Sequence, residues 1–214
     1  MKKIIFIFLI LFSLSEVVFA KTPFTEFKVG YLDPRDTKAG YIFGINVGRM
    51  IDESLSWSFE LNYFQKNYKK ITDVAVSQNG LNRYSTKELR VELTSRIVPL
   101  FLKLNYEHSV RPGSPLYARA SGGVGWEFVW NKENNYDTNQ FKNRFFNGFG
   151  WQLSGGLGFE ISSSANLFID AFYNESKVKR NKKTNSLGYP TWEELDISGL
   201  GVRLGISIVG FGWL

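Results

Sequence analysis

Between residues 116 and 130 the chain alternates with a period of two. The even positions hold Leu116, Ala118, Ala120, Gly122, Val124, Trp126, Phe128 and Trp130, and the odd ones Tyr117, Arg119, Ser121, Gly123, Gly125, Glu127 and Val129. Residues 148–161 repeat the pattern, with Phe149, Trp151, Leu153, Leu157, Phe159 and Ile161 against Gly148, Gly150, Gln152, Ser154, Gly156, Gly158 and Glu160. Side chains of a strand point to opposite sides in turn, so each run is a strand with bulky apolar groups on one face and charge, amide or glycine on the other. Strands of soluble proteins average about 5 to 6 residues, whereas a tilted strand crossing a bilayer needs about 9 to 11. These lengths, and the aromatic outer face, predict an antiparallel transmembrane β-barrel with lipid outside and a polar interior. A soluble β-sandwich also alternates, and strand length argues against it.

Eight strands are predicted in all: residues 25–32, 40–50, 55–66, 88–106, 116–130, 148–161, 166–177 and 196–208. The even count is the one bacterial single-chain barrels use. In the fourth strand Leu89, Val91, Leu93, Ser95 and Ile97 read as outward, and beyond Pro99 the outward set becomes Leu100, Leu102, Leu104 and Tyr106, so a bulge at Pro99 is expected. The connections at 51–54, 108–114 and 162–165 are short, while those at 67–87, 131–147 and 178–195 are long. Short periplasmic turns and long external loops produce this asymmetry, with both termini on the periplasmic side.

The start of the chain changes the picture of location. Lys2 and Lys3 precede an apolar run at residues 4–12, and Val18-Phe19-Ala20 offers a cut before Lys21, the layout of a cleaved secretory signal peptide at residues 1–20. Residues 21–214 then form one domain, the outer-membrane barrel. Aromatic residues make up 16% of the chain, yet the mean hydropathy is −0.17, so apolar content is spread thinly, as in a barrel wall. There is no cysteine, hence neither a disulfide framework nor a lipidated cysteine.

The chain resembles the small eight-stranded outer-membrane barrels of the OmpA/OmpX type over about residues 24–214. The likeness rests on Gly30-Tyr31 with Asp33-Pro34, Leu116-Tyr117 leading into Gly122-Gly123-Val124-Gly125-Trp126, Gly155-Gly156-Leu157-Gly158-Phe159, and Ser198-Gly199-Leu200 before Leu204-Gly205. The resemblance implies a bacterial outer-membrane protein, probed by the assembly machinery at its C-terminal end. Such barrels usually end on an aromatic residue, whereas here Trp213 is followed by Leu214.

Six inward charges, Glu60, Lys103, Arg119, Glu160, Asp170 and Arg203, are expected to form one interior network. Eight strands enclose a space that side chains fill, and unpaired charges there cost several kcal/mol, so pairing with Phe168 and Phe172 as filler follows. The alternative is a narrow anion path along Arg119 and Arg203. A second set, Lys69, Lys70, Lys179, Arg180, Lys182 and Lys183, lies in the predicted external loops and suits the phosphates of lipopolysaccharide.

Other chemistry has little support. The single histidine, His108, falls in a predicted turn, and with no cysteine and no recognised serine motif, neither catalysis nor a metal site is expected. No cofactor motif is present, since the Gly-x-Gly spacings sit within strands. Nothing points to nucleic acid. The expectation is a monomeric outer-membrane barrel with a filled interior and a structural or surface-interaction role. A narrow channel or small-solute binder is the alternative, and a lipid-modifying enzyme the third reading.

Overall fold

The computed structural model describes residues 22–79, 82–180, 183–184 and 189–212, with side chains assigned outside 73–86, 183–184 and 190. The expected signal peptide, Lys182 and Leu214 lie outside the described residues. The strands are β1 Pro23–Pro34, β2 Gly40–Met50, β3 Leu55–Asn79, β4 Asn82–Ser109, β5 Leu116–Asn135, β6 Gln140–Ser162 and β7 Ala165–Lys179. They are followed by the short β8 Lys183–Thr184, β9 Pro190–Thr191 and β10 Glu194–Asp196, and finally by β11 Gly199–Val209. β1 to β7 and β11 each pair antiparallel with their neighbours in the chain, and β1 pairs with β11, which closes a ring of eight. Closure leaves no sheet edge at the level of the ring, which is what lipid demands of a backbone.

The wall follows from the alternation. Val29, Leu61, Leu102, Trp126, Leu153, Leu167 and Leu204 all point outward and are exposed. An apolar band of this extent is tolerable against acyl chains and not against water. Tyr31 and Tyr41 meet edge to face at 5.8 Å, and Trp130 and Phe145 lie 5.2 Å apart, in the aromatic rim expected where hydrocarbon gives way to headgroups.

The turns at one end are short and locally determined. Asp52 accepts the amides of Ser54 and Leu55 at 2.7 Å each, a side chain closing the β2–β3 turn. Gly113 takes φ 76° between β4 and β5, a conformation glycine adopts without steric cost. At the opposite end the β1–β2 turn is pinned to the segment before β11: the Arg35 amide donates to Ser198 O at 2.9 Å, the Asp36 amide to Asp196 O at 3.0 Å, and Arg35 Nη1 lies 3.2 Å from Asp196 Oδ2.

Three expectations are corrected at the level of the fold. β4 has no bulge at Pro99: its register with β5 runs unbroken from Val91↔Asn135 to Ser109↔Tyr117, with Pro99 facing Glu127. Val91, Leu93, Ser95 and Ile97 therefore share the inward face of Phe101, whereas Leu89, beyond a register shift at Lys70/Ile71, lies on the side of Ile71. What changes along this strand is the environment. Within the bilayer the apolar side is the outer one; above it water covers the outer side, where Arg90, Glu92 and Arg96 stand, and the dry side is the inner one.

The second correction concerns the long connections. β3 and β4 stay paired to Asn79↔Asn82, and β5 and β6 to Asn135↔Gln140. Pairing of β2 with β3 stops at Ile42↔Phe64, and that of β6 with β7 at Asn147↔Lys179. Four strands thus continue past the ring as an open sheet with β3 and β6 at its edges. Short turns mark the periplasmic side in barrels of this kind, so this sheet rises from the outer side. His108 also lies in a strand, stacked on Tyr106 at 6.3 Å, and not in a turn.

Candidate functional site

Inside the ring lies a continuous ionic cluster. Glu60 on β3 is at its centre: one carboxylate oxygen receives Lys28 Nζ at 2.6 Å and Lys103 Nζ at 3.2 Å, and the other receives Arg203 Nη1 at 3.0 Å and Asn62 Nδ2 at 2.9 Å. Glu26 binds Lys28 at 2.8 Å, Arg119 at 2.8 Å and Asn46 at 2.9 Å. Asp170 bridges the two guanidinium groups, 3.3 Å from Arg119 Nε and 3.5 Å from Arg203 Nε. Gln152 accepts from Lys103 at 3.0 Å and from Arg203 at 3.3 Å. Every strand of the ring contributes: Glu26 and Lys28 from β1, Asn46 from β2, Glu60 from β3, Lys103 from β4, Arg119 from β5, Gln152 from β6, Asp170 from β7 and Arg203 from β11. All are buried.

Space for these long side chains comes from glycine and from stacking. A Cβ on Gly123, directly across from Lys103, would fall 2.6 Å from the lysine Cγ. The Arg119 guanidinium lies 3.7 Å over the ring of Phe168, and that of Arg203 4.9 Å over Phe172, so the two aromatics carry the cations on their faces.

Farther outward the lining becomes apolar. Leu32, Ile42, Phe64, Ile97, Val129, Phe146, Phe172, Val178 and Ile197 pack as one buried cluster. The ionic cluster therefore has a dry layer between it and the outer mouth, where attraction between charges is stronger than in water. Glu127 lies near this layer, fully buried. It accepts from Asn174 at 3.0 Å and, among the described residues, forms no ion pair.

Of the six inward charges expected to act together, Glu60, Lys103, Arg119, Asp170 and Arg203 meet in one cluster. Glu160 does not: it is exposed at the periplasmic rim, beside Ser109, Pro115 and Ser162. Glu26 and Lys28 are the residues the sequence reading passed over. They alternate with Phe27 and Val29, so the signal was present.

The expected external basic set is more dispersed. Lys69 and Lys70 lie on β3 and are exposed, Lys69 standing 3.5 Å from Glu92; Lys179 ends β7, 3.1 Å from Glu194; Arg180 lies 3.3 Å from Glu193. Hydrogen bonding by Asn67, together with the neighbouring Lys69, holds the Glu92 carboxyl below its ordinary range. Partial burial acts to raise Asp196, but hydrogen bonds from Ser198 and the charge of Arg35 outweigh it and leave this carboxyl lowered. A cavity of about 640 Å³ opens at the outer mouth between the β1–β2 turn and Lys66, Tyr68, Leu93 and Ser95. Among the described residues no cluster of metal-ligating side chains occurs.

Ring, girdle, polar lumen and short-turn end together define a small outer-membrane β-barrel. No protein-family model and no curated protein matches the chain. Solved structures do. OprG, an outer membrane protein of Pseudomonas aeruginosa, superposes over 90% of this chain and 97% of its own with a TM-score of 0.54 at 13% identity. A major outer membrane protein of Thermus thermophilus does so over 87% and 98%, with a TM-score of 0.54 at 11% identity. Likeness at these identities is a likeness of fold.

Proposed function

We propose that this chain is an outer-membrane barrel whose lumen is closed, and whose work is done at the cell surface by the sheet that rises from β3 to β6. One observation carries the reading: the lumen holds two successive layers of side chains, the ionic cluster centred on Glu60 and then the apolar cluster around Phe64 and Ile97. An ion entering would have to displace paired charges and then cross a dry layer, both costly. The projecting sheet supports the surface role, because among the described residues the β3 edge beyond Phe64 pairs with no strand on the β2 side and offers backbone groups to an extended partner.

The test is electrical. Residues 21–214, refolded in detergent and verified by the heat-dependent gel shift of a closed barrel, are inserted in planar bilayers. Silence is expected, and steady openings from an inserted barrel would refute the closed lumen.

The outer-mouth cavity favours a second reading, binding of a small solute without passage through the wall or lumen. In that case Tyr68→Ala reduces solute binding while the bilayer record stays silent.

A further inference from the structure

Just above the aromatic girdle, on the outward face of β4, β5 and β6, lies a groove of about 530 Å³. Register fixes its floor. Arg96 on β4 is directly opposite Trp130 on β5, which is opposite Phe145 on β6; one step outward the row is Thr94, Lys132 and Asn143, and the next is Glu92, Asn134 and Phe141. One step inward toward the bilayer centre the row is Val98, Phe128 and Asn147, and then Leu100, Trp126 and Phe149. The groove therefore begins at the row where the wall changes from apolar to polar, which is the height of the outer-leaflet headgroups.

Its chemistry is mixed in a specific way. Arg96 donates to Gln65 at 3.2 Å, and neither Arg96 nor Lys132 meets a carboxylate within 4.0 Å among the described residues, so both cations are free to take an anion. Arg144, by contrast, is already bound to Glu133 at 2.7 Å. Trp130 and Phe145, their ring planes inclined at 46°, supply an apolar platform, and Thr94, Asn134 and Asn143 supply donors and acceptors beside it. An aromatic face suits the C–H side of a sugar ring, short amides and hydroxyls suit its hydroxyl groups, and an arginine fork suits phosphate.

The geometry points to a binding site for the phosphorylated sugar headgroup of an outer-leaflet glycolipid, held by Arg96 and Lys132 with the sugar on Trp130 and Phe145. A lipid is the source, because the wall immediately below the groove faces acyl chains, so a headgroup seated here keeps its tails in the bilayer. The site lies outside the ring and does not depend on whether the lumen conducts.

Three probes test it on the refolded barrel in neutral micelles: a diphosphorylated diglucosamine glycolipid, the same lipid without phosphates, and inorganic phosphate. The wild type binds the phosphorylated lipid at least about tenfold more tightly than the dephosphorylated one. The double variant Arg96→Gln, Lys132→Gln loses about tenfold, and Trp130→Leu weakens both lipids alike, as loss of a sugar platform requires. Arg111→Gln, an exposed arginine in the β4–β5 turn at the opposite end of the barrel, leaves binding unchanged. All variants must show the heat-dependent gel shift, and exposed wall positions are ones a folded barrel tolerates. Equal binding by the double variant, an equal loss in Arg111→Gln, or displacement of the lipid by inorganic phosphate at similar concentration would each overturn the proposal.

Discussion

Glu60 touches three cations at once, which makes it the residue whose loss costs most. Removing it leaves Lys28, Lys103 and Arg203 buried without their common anion. Breaking a buried ionic group by deleting one partner typically costs about 3–5 kcal/mol, and Glu60→Ala is expected to lower the barrel's urea stability by that order. Glu127→Gln is the control. No ion pair is broken there and the amide keeps a hydrogen bond to Asn174, so its urea midpoint is expected to shift by less than about 1 kcal/mol. Parity along each strand told which side Lys103, Arg119, Asp170 and Arg203 occupy. It did not tell their height, and this is why Glu160, on the same inward side of β6, stands at the rim. Height depends on the register between neighbours, which a single strand's alternation does not contain. Asn46 and Gln152 were harder still to see, since an uncharged amide facing inward looks the same in sequence as one facing a loop.

Among the elements, the pin between the β1–β2 turn and Asp196 responds to pH. Asp196 is held below its unfolded value, so its contribution is complete above about pH 4 and fades as pH falls through the folded value. Amide exchange at Arg35 and Asp36, corrected for intrinsic rates, is expected to rise as pH falls below about 4, and Asp196→Asn should remove that dependence. The β3–β4 hairpin makes a different prediction. Every pairing that closes the ring lies below Lys70↔Val91, so replacing residues 71–89 by a two-residue turn should leave the heat-dependent gel shift intact and the urea stability within about 1 kcal/mol. Reading residues 67–87 as loop had a physical cause: above the bilayer both faces of the hairpin lose the lipid that enforces alternation, so the apolar signature vanishes although the backbone ladder continues. The supposed slip at Pro99 has the same origin, an unbroken strand passing from lipid into water.

For the molecule as a whole, strand number, up-and-down order and outer-membrane class were legible from the sequence because the bilayer imposes them on every strand. The division of the lumen into an ionic layer and a dry layer was not, because it comes from all eight strands at once. That division gives a prediction for the assembled barrel. Glu60→Ala, Phe64→Ala and the double variant differ in planar bilayers: each single change leaves one layer in place and stays silent, while the double variant shows brief openings. Openings in the wild type would remove the basis for this expectation.

The continuity of β3 to β6 from ring to projecting sheet also has a mechanical consequence. Whatever grips the outer hairpins pulls along the strands, and the ladder bonds lie across them, so tension shears many hydrogen bonds together and does not unzip them one at a time. With the aromatic rim resisting vertical slip, a barrel of this build would, in the proposed surface role, resist extraction when its outer hairpins are pulled.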